Sequence, residues 1–230
     1  MPIVSVRGAV RTYSQGALRV EALRGVDVDI DAGEFTALMG PSGSGKTTLL
    51  NLIGGLDTPT GGTVQVDGKE VSSLDKTRRS DLRRERIGFI FQSYNLVPVL
   101  TARENTEFVL MLQGVPAAER ARRAKETLAA VGLAGLEDRK PGELSGGQQQ
   151  RVAVARAIAT QPAIVLADEP TANLDTETKA ALIDLMRRLN EEHGVTFLFS
   201  THDPEVIAAA RRVITLRDGR IEADERRYAE

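Results

Sequence analysis

The chain has 230 residues and a formal net charge of −2, is 41% hydrophobic and 27% charged, and contains no cysteine. Such a length can bury a substantial α/β core, the near-neutral balance excludes a strongly basic nucleic-acid binder, and the lack of cysteine excludes disulfide and thiolate–zinc chemistry. No apolar run is long enough to cross a bilayer and residues 1–7 carry no leader pattern, so any membrane link is expected to run through a partner.

In chain order, residues 3–6 and 26–30 alternate apolar and polar, as half-buried strands do. Residues 11–16 read as an edge loop between them. Tyr13 in that loop either packs against its surroundings or offers its ring to a flat base such as adenine. The apolar run at residues 35–39 reads as a strand and leads into Gly40-Pro41-Ser42-Gly43-Ser44-Gly45-Lys46-Thr47-Thr48 and a helix. Strand, glycine-rich loop and helix with the spacing G-x-x-x-x-G-K-[ST] make a phosphate cradle. The glycines let backbone N–H groups turn inward, and the helix start adds its positive end. Lys46 is expected to reach the β- and γ-phosphates of a nucleoside triphosphate and the Thr47 hydroxyl to ligate Mg²⁺.

Residues 63–68 follow as a strand and turn, then residues 74–86 as a charged helix with a solvated face. A buried strand at 87–91 ends at Gln92. An apolar-rich loop follows, containing Tyr94, Leu96, Val97, Val99 and Leu100, and Thr101 with Glu104 fits a helix capping box. Helices are expected to Leu112 and from Pro116 to about Val131. The stretch from residue 93 to 155 thus reads as a helical lobe inserted into an α/β core made of residues 1–92 and 156–223. Residues 163–167 and 196–200 read as buried central strands, residues 176–192 as an amphipathic helix, and residues 213–222 as a final hairpin. The polar tail 224–230 is expected to fray.

Parallel sheets bind ligands at the carboxyl ends of their strands. Here those ends carry the phosphate loop, Gln92, the pair Asp168-Glu169, and Thr201-His202-Asp203. Asp168 suits Mg²⁺, Glu169 can polarise an attacking water, Gln92 can ligate Mg²⁺ or orient water, and the His202 imidazole can donate to a γ-phosphate. The other histidine, His193, reads as structural. Leu144-Ser145-Gly146-Gly147-Gln148 opens a helix and forms a second anion cradle. One nucleotide needs only one phosphate loop, so the second is expected to close over a nucleotide held by another copy, in a head-to-tail homodimer.

Together these motifs resemble the ATP-binding subunit of ABC transporters over nearly the whole chain. GPSGSGKTT matches Walker A, Gln92 the Q-loop, LSGGQ the signature, IVLADE Walker B, Asn173-Leu174-Asp175 the D-loop, His202 the switch histidine and Tyr13 the adenine-stacking aromatic. The resemblance implies a P-loop NTPase core with a mostly parallel sheet, an N-terminal antiparallel β subdomain and a helical subdomain. It also implies ATP and Mg²⁺ as ligands, transport-coupled hydrolysis, and a place on the inner face of the membrane against a permease. NLIGGLDTPTGG, IGFIFQSYNLVPVLTARENTE and LADEPTANLDTET resemble the lipoprotein-release (LolD-like) and macrolide-export (MacB-like) group. The alternatives are an FtsE-type ATPase controlling envelope enzymes, or a soluble ABC ATPase in DNA repair or translation. Ala172 departs from the usual glycine, and residues 107–110 lack a proline common in that group. The surface from Ser93 to Glu104 is the expected permease dock.

Overall fold

The computed structural model describes residues 2–16 and 18–227. Two antiparallel strands, β1 (Val4–Gln15) and β2 (Leu18–Ile30), begin it. They are much longer than the alternation of residues suggests. The reason is a slip of register between Val6 and Ala9, where Gly8 takes φ +55° and Ala9 turns inward in its place. Such a bulge breaks the period-2 pattern without ending the strand. Tyr13 therefore lies in β1 opposite Val20, not in a loop.

The remaining elements are β3 (Phe35–Met39), α1 (Lys46–Ile53), β4 (Gly61–Val66), β5 (Lys69–Glu70), α2 (Lys76–Arg86) and β6 (Ile87–Phe91). Helices α3 (Ala102–Leu112), α4 (Ala117–Ala130) and α5 (Gly146–Ile158) follow together, and then β7 (Ile164–Asp168), α6 (Thr176–His193) and β8 (Phe197–Ser200). The order closes with α7 (Pro204–Ala209), β9 (Arg212–Arg217) and β10 (Arg220–Arg226). One sheet has the order β2-β1-β4-β5 and is antiparallel. The other has the order β10-β9-β3-β8-β7-β6 and is parallel except for β10. Among the described residues no helix is long and apolar enough to cross a membrane.

Alternation along the central strands sorts their side chains between two cores. Phe35, Ala37, Val165, Ala167, Phe197 and Phe199 join residues of α5 and α6 on one face. Leu38, Leu166, Leu198 and Ile214 join α1 and the antiparallel sheet on the other. Leu128 and Val131 from the α4 region belong to the first core, so the helices between β6 and β7 are bonded to the sheet by continuous apolar packing.

The polar tail behaves differently from expectation. β10 runs to Arg226, so residues 224–226 are paired with β9 and not frayed. Asp224 accepts from the buried Arg212 guanidinium at 2.6 and 2.8 Å, and Arg212 also meets Glu34. This charge network holds the end of an edge strand whose apolar face, Ile221 and Ala223, stops short of residue 224. Residues 228–230 lie outside the described residues.

Candidate active site

The sheet delivers its polar groups along one edge. A cleft of about 710 Å³ is lined by Gly40, Pro41, Ser42, Gly43, Gly45, Lys46, Thr47 and Thr48 after β3. Gln92 after β6, Glu169 after β7, and Ser200 and His202 at the end of β8 complete it. Ser44 sits within the loop, 2% exposed, and its Oγ has no partner, as is true of Ser200 Oγ.

The loop can only be built from glycine at its turning points. Gly40, Gly43 and Gly45 have φ of 150°, 78° and 106°. A Cβ on Gly40 would collide with the Leu216 carbonyl, and one on Gly45 would come within 2.5 Å of the Ala22 carbonyl. Helix α1 starts at Gly45 with no side-chain cap, so its first N–H groups face the cleft unspent. Lys46 Nζ donates to the carbonyls of Gly40 and Pro41 at 2.7 and 3.1 Å. Its charge meets carbonyl dipoles there. Thr47 Oγ1 donates towards both carboxylate oxygens of Asp168 at 3.3 and 3.4 Å. One hydroxyl and one carboxylate at one point are the oxygen donors that Mg²⁺ takes when phosphates supply the rest, and the bare N–H groups and Lys46 suit those phosphates. Nucleoside triphosphate and Mg²⁺ therefore fit the residues present.

Glu169 adopts φ +46°, a left-handed conformation that costs a non-glycine residue on the order of 1 kcal/mol. Its N–H donates to the Ser200 carbonyl at 2.8 Å, which holds the turn. The carboxylate meets His202 Nδ1 at 2.7 Å and accepts from Thr201 Oγ1 at 3.3 Å. The His202 side chain lies largely in solvent, at 75% exposure. Gln92 is exposed, and its carbonyl accepts from Asn173 Nδ2 at 3.0 Å. That bond ties the segment after Glu169 to the segment after β6. Asp175 caps α6, accepting from the Thr178 N–H and hydroxyl at 2.9 and 2.7 Å. Those bonds, the backbone one first, hold its carboxyl below the usual range.

Two groups of expected site residues stand apart from the cleft. Leu144, Ser145, Gly146, Gly147 and Gln148 do not line it. Ser145 instead caps α5 with Gln148 in a reciprocal capping box, at 3.3 and 2.9 Å. Gly147 is needed because a Cβ there would strike the Thr178 methyl group. Tyr13 is 39% exposed, with Arg11 stacked 4.5 Å from its ring centroid and its hydroxyl donating to Asp57. Its cross-strand partner Val20 lines the cleft. Val20 and Ala22 line the cleft although the sequence did not point to them, and both become visible only once the β1–β2 hairpin is known.

The loop after Gln92 is also divided. Val97 and Val99 are exposed, at 37% and 71%, but Leu96 packs on the main core. Tyr94 turns inward with φ +59°, its hydroxyl beside Gly146. The Tyr94 and Asn95 carbonyls accept from Arg156 of α5, whose burial lowers its pKa. The apolar patch expected from five residues is thus supplied by two of them. Leu56, Phe108, Met111 and Leu112 are exposed as well, and Leu56 and Leu112 line a neighbouring groove.

Comparison with known proteins finds relatives over nearly the whole chain. The family profile described as ABC transporter matches residues 23–172. The lipoprotein-releasing system ATP-binding protein LolD of Anaeromyxobacter dehalogenans is 48% identical, over 97% of this chain and 94% of that protein. The macrolide export ATP-binding/permease protein MacB of Brucella melitensis is 47% identical over 97% of this chain, which spans 34% of that protein. Among solved structures, the dimeric post-hydrolysis state of the ATP-binding cassette MJ0796 bound to ADP and Pi matches with a TM-score of 0.89 and 44% identity. The match covers 99% of this chain and all of that one.

Proposed function

The chain belongs to the ABC transporter ATP-binding family, and from that membership we propose that it hydrolyses ATP as a head-to-tail homodimer that drives a membrane permease. The observation that carries the reading is the convergence of four strand ends on one cleft. The glycine loop and the α1 N-terminus bind the triphosphate, and Lys46 exchanges its carbonyl partners for phosphate oxygens. Tyr13 lies against the adenine beside Val20. Thr47 and Asp168, with Gln92, hold Mg²⁺, which when bound neutralises charge on the phosphates. Glu169 takes the proton of the attacking water, and His202 leaves Glu169 to donate to the γ-phosphate.

Ser145, Gly146 and Gly147 complete the site of a second copy, with Leu144 and Gln148 shaping the helix start and Asp175 facing the partner. Their distance from the cleft of their own chain supports this assignment. So does the dimeric state of the MJ0796 cassette. The permease docks on Val97 and Val99, in the region from Ser93 to Glu104, and on the exposed side chains of Leu56 and α3 beyond that region. The Arg156 clamp and the bond between Asn173 and Gln92 connect this surface to the cleft. The protein then sits on the inner face of the membrane through that partner. The similarity to LolD and MacB favours lipoprotein release or export of a macrolide or peptide-like cargo.

Isothermal titration and phosphate release test the site. Lys46→Ala should lose turnover and at least about tenfold in ATP affinity. Affinity and turnover like the wild type would remove Lys46 from the site. Val97→Asp with Val99→Asp should leave basal turnover intact and abolish stimulation by the permease; retained stimulation would place the dock elsewhere.

A further inference from the structure

Beside the hydrolytic pair lies a buried cluster to which no role has been given. Asp203, 8% exposed, follows His202 directly. Its Oδ2 accepts from the Thr171 hydroxyl at 2.8 Å and meets Lys179 Nζ at 2.9 Å. Its Oδ1 accepts from the Glu205 N–H at 3.0 Å, capping α7. Its own N–H donates to Thr201 Oγ1, the hydroxyl that reaches Glu169. One carboxylate thus joins three segments: the turn after Glu169 through Thr171, the histidine turn, and the first turn of α6 through Lys179. Thr171 is 1% exposed, so water does not replace its bond to Asp203.

The same turn of α6 carries Thr178, which is seated against Gly147 at the start of α5. Lys179 is therefore one residue from the contact with the signature segment and one ion pair from the histidine turn. We propose that Lys179 is a positioning residue for hydrolysis: acting through Asp203, it sets His202 against Glu169 and fixes that pair to the helix turn that rests on the signature glycine. This rests on the hydrolytic reading of Glu169. A carboxylate as enclosed as Asp203 needs a cation, since burial alone disfavours its charge. Without Lys179, the nearest donors are a hydroxyl and a backbone N–H, and the turn that carries His202 loses its tie to α6. Small misplacements of groups that act on a reacting centre cost much more rate than binding.

Lys179→Met keeps the length of the side chain and removes the charge. Its kcat for ATP should fall about tenfold with KM within about twofold of wild type. In a His202→Ala background the same substitution should cause no further fall, because the group through which Lys179 acts is gone. Amide hydrogen exchange read on the peptide covering residues 201–205 should quicken in Lys179→Met while the β3 and β7 peptides stay protected. Wild-type kcat, or a tenfold fall that repeats undiminished on top of His202→Ala, overturns the proposal. Unchanged exchange in residues 201–205 also overturns it, and that measurement needs no turnover. Absence of hydrolysis by the wild-type chain would instead refute the ATPase reading.

Discussion

Asn105 governs the shape of the proposed docking loop. It lies on α3, 1% exposed. Its Nδ2 donates to the carbonyls of Val97, Leu100 and Thr101 at 3.0 to 3.1 Å, and its Oδ1 accepts from the Val97 N–H at 2.8 Å. A single amide thus satisfies backbone groups at both ends of residues 97–101 and leaves Val99 outward between them. Asn105→Ala strands the Val97 N–H and the Leu100 carbonyl, while the Val97 and Thr101 carbonyls keep the Leu100 and Asn105 N–H groups. Each net hydrogen bond contributes about 1 kcal/mol, and two protons with one acceptor give about three such bonds. Water reaches part of the loop once it loosens, so the expected loss is about 2–3 kcal/mol. For a chain of this size that lowers the melting temperature by about 5–10 °C. Differential scanning calorimetry measures the shift, and ATP affinity should hold because no part of the phosphate loop touches Asn105. Permease stimulation should weaken. A melting temperature within about 1 °C of wild type would refute the role given to Asn105.

Two further outcomes follow from other parts of the structure. If Ser145 completes the site of a second copy as proposed, Ser145→Arg should leave ATP binding to the single chain intact and block both ATP-dependent dimerisation and hydrolysis; wild-type hydrolysis would contradict that. Asp224 is held below the ordinary aspartate range, first by its hydrogen bonds from Arg212. A carboxylate with a lowered folded pKa contributes stability above its unfolded value, about pH 3.9, and that contribution is lost as pH falls through the folded value. Asp224→Asn should therefore lower stability at neutral pH and flatten the pH dependence of unfolding below about pH 4, and parallel curves for variant and wild type would argue against it.

Much of the site was legible because its chemistry is local. The phosphate loop needs glycine at fixed steps, and Phe35–Met39 and Ile87–Phe91 are apolar runs whose ends announce Met39-Gly40 and Phe91-Gln92. The mostly parallel sheet followed from the same runs and the family from the motifs at their ends, whereas the strand order came only with the structure. Other features depend on partners far away in the chain. Tyr13 enters a strand because of a bulge at Gly8 and a pairing with β2. Residues 224–226 are held by Arg212, whose burial no local pattern reveals. Leu96 and Val97 are neighbours of the same character, but only the packing of α3 and α5 sends Leu96 inward. Thr201, Asp203 and Lys179 meet only when α6 and β8 are brought together.

The proposed chemistry is hydrolysis of ATP between two copies of this chain, with Glu169 as the base. Gel filtration of Glu169→Gln with ATP and Mg²⁺, paired with phosphate release, tests it most directly. The substitution keeps shape and hydrogen bonding but cannot accept a proton. The variant should bind ATP, lose about 10²- to 10⁴-fold in turnover and elute as an ATP-dependent dimer, whereas wild-type turnover, or a monomer at saturating ATP, would contradict the account.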